Sequence, residues 1–236
     1  MPTTKISPFT ISFTNSEEFH VLKNEVFTQN AYYFETNNPT PFIIDAGAHI
    51  GLTTLYFKKI FPDSHILAIE PNPYLLPLLK ENIAQNGLRD IEVMPVALAD
   101  ESGMKNLFID QTKDQWWSTG SFHNGAWNQQ QTSKPIEVES ALLSNFLSQP
   151  VDFLKMDIEG AETAVLAAAG DQLHQIKHMM IEFHPTTSQH LAKFVEFLQE
   201  KGFITTIWKD GNEITEAKRA KGLVYVEAVN RKNKPD

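Results

Sequence analysis

The residues Pro41 to Ile60, PFIIDAGAHIGLTTLYFKKI, most constrain what this chain can fold into. A short apolar run ends at Asp45, a glycine-bearing turn follows, and an amphipathic segment begins after Gly51. That order predicts a buried strand, a tight turn and a helix, the opening of a βαβ unit. The same rhythm continues: SHILAIE reads as strand, PYLLPLLKENIAQNG as a helix stopping at Gly87, and IEVMPVALA as strand. Later come VDFLKMDI as strand, AETAVLAAAG as helix, HMMIEFH as strand and SQHLAKFVEFLQEKG as helix. FITTIW and LVYVEAV close the chain without a helix between them, which predicts an antiparallel edge. The expected fold is α/β, a mostly parallel sheet covered by helices on both faces.

With 236 residues and 42% hydrophobic content the chain can bury a full core. One main domain is expected over residues 41–230, preceded by a cap or partner segment at 1–40 and followed by a frayed tail at 231–236. An insert at about 101–150 interrupts the core strands, where open α/β folds carry recognition loops. The net charge of −9, with no basic cluster beyond Lys218 to Lys221, argues against nucleic acid and anionic membrane surfaces as partners. No apolar run approaches the ~20 residues of a membrane span and no signal peptide opens the chain, so a cytoplasmic location is expected. Zero cysteines remove disulfides, thiolate metal sites and cysteine nucleophiles together.

In open α/β sheets a ligand sits beyond the carboxyl ends of the strands, where the strand order reverses. The loop DAGAHIG belongs there, and Glu70 in AIEPNP follows at the spacing at which an acid accepts hydrogen bonds from ribose hydroxyls. A dinucleotide loop needs G-x-G-x-x-G, yet that register here holds Gly47, His49 and Leu52. Asp45 would also set an anion against the pyrophosphate. An adenosine ligand without phosphates, carrying an ammonium and a sulfonium, suits this acidic rim better: S-adenosyl-L-methionine.

The stretches IIDAGAHIGLTTLYF, LAIEPNPYLLPLLKENIAQNGL, VMPVALAD, VDFLKMDIEGAETAVLAAAG and MMIEFHP resemble the FkbM-type S-adenosylmethionine-dependent methyltransferases. The resemblance implies a Rossmann-like class I methyltransferase with a seven-stranded sheet. It implies that Asp45, Gly47, Ala48 and His49 line the methionine half of the cofactor, with Gly51 of the same loop also among the cofactor-binding residues. Glu70 would hold the ribose, Pro71 and Asn72 would shape the loop beside it, Ala97 would face the adenine, and Asp157 would stand near the transferred methyl group. On the residues alone, Gly47 and Gly51 also suit turn and helix packing, and His49 suits a position needing an unusual backbone angle.

Methyl transfer from a sulfonium is a displacement on an already activated donor, so alignment of the acceptor and exclusion of water supply most of the catalysis. A hydroxyl or ammonium acceptor must also lose a proton. Base candidates cluster at two strand ends: Asp157 and Glu159 in MDIEGAE, Glu182 and His184 in IEFHP, with His184 closest to neutral in its ordinary titration. Glu162 opens a helix, where an acid meets free amides. The same acids with an imidazole could hold a divalent ion, but no spacing demands one and no metal is assigned. Trp116, Trp117, Phe122, His123 and Trp127 give the insert the composition of an aromatic lid, or of a surface that a second copy of the chain could cover as a homodimer. The expected reaction is O-methylation of a small metabolite or sugar hydroxyl, a small-molecule or glycan acceptor. The alternatives are N-methylation of an amine or peptide amide, and a non-catalytic adenosine-binding subunit.

Overall fold

A computed structural model describes residues 1–110, 119–124, 133–187, 189–217 and 222–233. Two strands, β1 (Thr3–Ile6) and β2 (Phe9–Ser12), form an antiparallel hairpin before helix α1 (Ser16–Lys23) and a π-helical turn, Asn24–Thr28. The core then alternates as the apolar periodicity dictates: β3 (Phe42–Ala46), α2 (Leu52–Ile60), β4 (His65–Ile69), α3 (Leu76–Gln85) and β5 (Ile91–Met94). After the short β6 (Ala97–Leu98) come β7 (Gly103–Asp110) and β8 (Ser133–Ala141), then β9 (Phe153–Met156), α4 (Glu162–Ala169), β10 (His178–Phe183) and α5 (Leu191–Glu200). The chain closes with β11 (Phe203–Lys209), β12 (Asn212–Ile214) and β13 (Val224–Asn230).

The central sheet has eight strands in the order β12-β11-β13-β10-β9-β3-β4-β5. Strands β10, β9, β3, β4 and β5 pair in parallel, while β13 runs antiparallel to both β10 and β11. The eighth strand is β12, whose three residues fold back on Ile207, Trp208 and Lys209. It is too short to leave a periodic signal, so seven strands were expected from the sequence. The strand order reverses between β3 and β9, which opens a crevice above their carboxyl ends.

One face of the sheet is covered by α4 and α5 through Val165, Leu166, Phe194 and Leu198. The other face is covered by α2 together with the N-terminal segment, whose Phe9, Ile11, Phe19, Val26 and Phe34 join Leu55 and Phe57 in one apolar cluster. Phe34 stacks on Phe153 of β9, ring centroids 4.1 Å apart. Two asparagines, Asn82 of α3 and Asn86 at its C-terminal cap, hold the hairpin in place as a neighbouring strand would. Asn82 Oδ1 accepts from Ser12 N at 2.8 Å and its amide donates to Ser12 O at 3.0 Å, while Asn86 does the same for Thr10 at 2.8 and 2.7 Å. At the other end of the segment Asn38 Nδ2 donates to Asp152 Oδ2 at 2.9 Å.

The insert is a hairpin arm: β7 pairs antiparallel with β8 over its full length, and β6 adds to β8 in parallel. Trp116, Trp117 and Trp127 lie outside the described residues, as do Lys218 to Lys221. Arg231–Asn233 form a 3₁₀ turn at the end of β13. No helix among the described residues is long and apolar enough to cross a membrane.

Candidate active site

Above the β3–β9 crevice lies a cavity lined by Leu22, Gly47, His49, Glu70, Asn72, Ala97, Phe122, Asp157 and Glu159. Pro71 lines it as well, and Ala97 enters as the first residue of β6. The β3 exit loop is set by close approach. Gly47 has φ +80°, and a Cβ there would stand 1.8 Å from the carbonyl oxygen of Asp157, so no other residue fits. Gly47 N and Ala48 N donate to Ile69 O at 2.9 and 3.0 Å, which ties the loop to the end of β4. Gly51, at φ +91°, caps α2 against Leu79 and does not border the cavity.

Glu70 is 5% exposed and its carboxylate is held by backbone amides: Oε2 accepts from His49 N and Oε1 from Asn72 N, both at 2.8 Å. Burial raises its pKa, and the charge of His49 and these amides oppose the rise. Each oxygen keeps a further lone pair for hydroxyl donors in the cavity. The Asn72 side chain accepts from Tyr74 N at 3.0 Å, and its buried Nδ2 has no hydrogen-bond partner. His49 adopts φ +51°, so it shapes the turn and presents its amide to Glu70. Its imidazole also borders the cavity, with Nε2 3.6 Å from Glu18 of α1.

Asp45 is placed differently from the cofactor contact the resemblance implies. It is fully buried, bonded by the hydroxyls of Thr53 and Thr54 at 2.7 and 2.6 Å, and it does not border the cavity. A carboxylate at the end of β3 with two hydroxyls in the first turn of α2 locks the strand to the helix.

Lys155, which the sequence pattern did not single out, organises the other side. It is 1% exposed within β9; Nζ donates to Ala46 O at 3.1 Å and Gly47 O at 2.6 Å and lies 3.7 Å from both Asp45 and Asp157. Burial opposes its charge, but Asp157, Asp45, Glu182 and Glu25 outweigh that and raise its pKa.

Asp157, Glu159, Glu182 and His184 do converge. His184 Nε2 lies 3.5 Å from Glu159, 3.7 Å from Glu182 and 4.0 Å from Asp157. Its Nδ1 donates to Glu162 Oε1 at 3.0 Å, while Glu162 also accepts from Gly160 N at 3.0 Å and from the Gln189 amide at 2.6 Å. The fully buried Glu162 therefore opens α4 and at the same time orients the imidazole. Burial would lower the pKa of His184, but the bond to Glu162 and the charges of Glu159 and Asp157 overcome it and raise it to about 10. His184 accordingly carries its proton at neutral pH. The expectation of a free imidazole base came from its ordinary titration, which these carboxylates displace. Lys155 and this imidazolium supply the positive charge inside the cluster.

The carboxyls are raised as well, here chiefly by burial. Burial, then the charges of Asp157 and Glu25, raise Glu182 to about 8, and burial raises Glu159 well above its ordinary value. Glu159 has φ +54°, and its carbonyl accepts from Ser121 Oγ of the insert at 2.6 Å, which brings Phe122 to the cavity wall. His123 lines a separate groove between the hairpin arm and α4.

A parallel sheet reversing at β3 and β9, with an acid at the end of the second strand and a small-residue turn after the first, defines a class I methyltransferase. Residues 45–205 match the Methyltransferase FkbM domain, and the chain belongs to that family of S-adenosylmethionine-dependent methyltransferases. It is 27% identical over 208 residues to Methyltransferase 1 of Beauveria bassiana, covering 80% of this chain and 83% of that one. It is 25% identical over 157 residues to 2-O-methyltransferase NoeI of Sinorhizobium fredii, covering 61% of this chain and 64% of that one. The crystal structure of an FkbM methyltransferase from Methylobacillus flagellatus shares the fold, with a TM-score of 0.55 at 15% identity. That match covers 84% of this chain and about half, 47%, of the longer one.

Proposed function

We propose that this enzyme transfers the methyl group of S-adenosyl-L-methionine to a hydroxyl oxygen of a small metabolite or a sugar. The observation that carries the reading is the cavity itself, lined by Glu70, whose oxygens keep lone pairs for further donors, and by Asp157 and Glu159. Such a cavity suits a ligand with ribose hydroxyls at one end and a cationic centre at the other. The acidic end would hold the sulfonium by charge, and Leu22 and Phe122 would exclude water. The acceptor oxygen attacks the methyl carbon, the carbon–sulfur bond breaks with its electrons passing to sulfur, and the hydroxyl proton moves to a carboxylate of the cluster. Asp157, paired with Lys155, and Glu159 border the cavity and are the receiving groups; His184 steadies the charge that forms. The 2-O-methyltransferase named among the relatives supports oxygen as the acceptor atom.

The test is transfer of labelled methyl from S-adenosylmethionine into a panel of sugars, small hydroxylated metabolites and amines. Label in a hydroxyl compound as an ether, stable to mild base, is the expected result. Label confined to amines would overturn the reading.

A further inference from the structure

The N-terminal segment reaches into the reacting end of the site. Leu22, Glu25, Val26 and Tyr32 close a compartment against Gly47, His49, Lys155 and Asp157, directly beside the cavity. Tyr32 is 1% exposed, and its single hydroxyl lies 2.9 Å from Glu25 Oε1 and 3.0 Å from Glu182 Oε2. A phenol has one proton to donate, and an ionised carboxylate has none. With both contacts at hydrogen-bond length, one of the two carboxyls must donate to the phenol oxygen. Tyr225 of β13 adds a third contact, its hydroxyl 3.3 Å from the same Glu182 oxygen. Three contacts share two phenol protons, so the count again asks for a proton on the pair.

We propose that Glu25 and Glu182, bridged by Tyr32 and with Tyr225 on Glu182, hold a proton that leaves when the sulfonium-bearing cofactor binds and is replaced by the acceptor's proton during transfer. This rests on the methyl-transfer reading above. The surroundings favour such an exchange. Asp45 comes from β3, Lys155 and Asp157 from β9 and its exit, Glu159 and Glu162 from the start of α4, and His184 from the end of β10. Acids outnumber cations in that set, so one more positive charge is accommodated by losing a proton. In agreement, burial raises the pKa of both Glu25 and Glu182.

The balance closes over a cycle. S-Adenosylmethionine brings one positive charge at sulfur, and the O–H bond of the carboxylic acid breaks, releasing H⁺ to water. The acceptor oxygen then takes the methyl group, sulfur becomes neutral, and the acceptor's proton refills the pair. His184 Nε2, 3.7 Å from Glu182 and 3.5 Å from Glu159, stands between the cavity wall and the pair.

The experiment is calorimetric titration of the full chain at pH 7, with a chelator present, in two buffers of different ionisation enthalpy. S-Adenosylmethionine and S-adenosylhomocysteine are compared, since they differ at sulfur by one methyl group and one charge. Expected is roughly one proton more released with the sulfonium ligand than with the thioether, and a difference at most half as large in Y32F and Y225F. Both ligands binding with equal proton counts would overturn the proposal alone, as would a difference unchanged in both variants. Neither ligand binding would overturn the cofactor reading beneath it.

Discussion

Glu70, which lines the cavity, and Glu162, which lies behind His184, are both buried carboxylates, yet they are satisfied by opposite means. Glu70 takes its bonds from two backbone amides, so its geometry follows from the path of the loops and its remaining lone pairs stay open to a ligand. Glu162 takes one amide, the imidazole of His184 and the side chain of Gln189, all within the protein. The difference separates two jobs. A carboxylate held by backbone can give its outer face to substrate, whereas one wrapped in side chains holds other groups in place.

Removing each acid should expose that division. Glu162→Ala leaves a buried imidazolium without its closest anion and a buried amide without an acceptor, so a loss of about 3–5 kcal/mol in unfolding free energy is expected. Denaturant unfolding would measure it; a loss below about 1 kcal/mol would mean that Glu162 is no more structural than Glu70. Glu70→Ala should act on the ligand instead, weakening S-adenosylhomocysteine binding by about 1.5–3 kcal/mol, roughly 10- to 150-fold. Unchanged affinity in a titration would remove Glu70 from the ribose contacts.

The smallest expected effect is the pH response. His184 binds its proton more tightly folded than unfolded, so the stability it adds is full below about pH 6.5 and is lost as pH rises towards 10. Glu182, raised from 4.5 to about 8, has the same sign: its contribution falls between those values, where the folded state keeps a proton that the unfolded state has released. Tm should therefore fall between pH 6 and 10, by a few degrees, on the order of 5 °C. The slope should flatten in Glu182→Gln, and a Tm that rises over this range would contradict the charges assigned to the cluster.

Much of the fold was legible because its strands and helices carry clean periodicity: from β3 through α5 every core element follows an apolar pattern in the sequence. The shape of the β3 exit loop was legible because backbone turns write themselves into residue types, with Gly47 where a side chain would strike Asp157 and a residue that tolerates a left-handed angle at His49. The reacting side was less so. Lys155 looks like an interruption in a buried strand, and nothing near Tyr32 announces a partner 150 residues away at Glu182. Nor can a sequence state that His184 keeps its proton, since that depends on how many carboxylates converge around it. Asp45 shows the converse: its position in the motif suggested a ligand contact, while two neighbouring hydroxyls turn it inward.

The asparagine stitching of the N-terminal hairpin to α3 bears on how the protein can be cut. With Asn82 and Asn86 gripping one end of the segment and Asp152 the other, residues 1–40 behave as a strap fastened at both buckles. A version shortened to begin at residue 41 would keep every strand of the central sheet and lose one wall of the cavity above it.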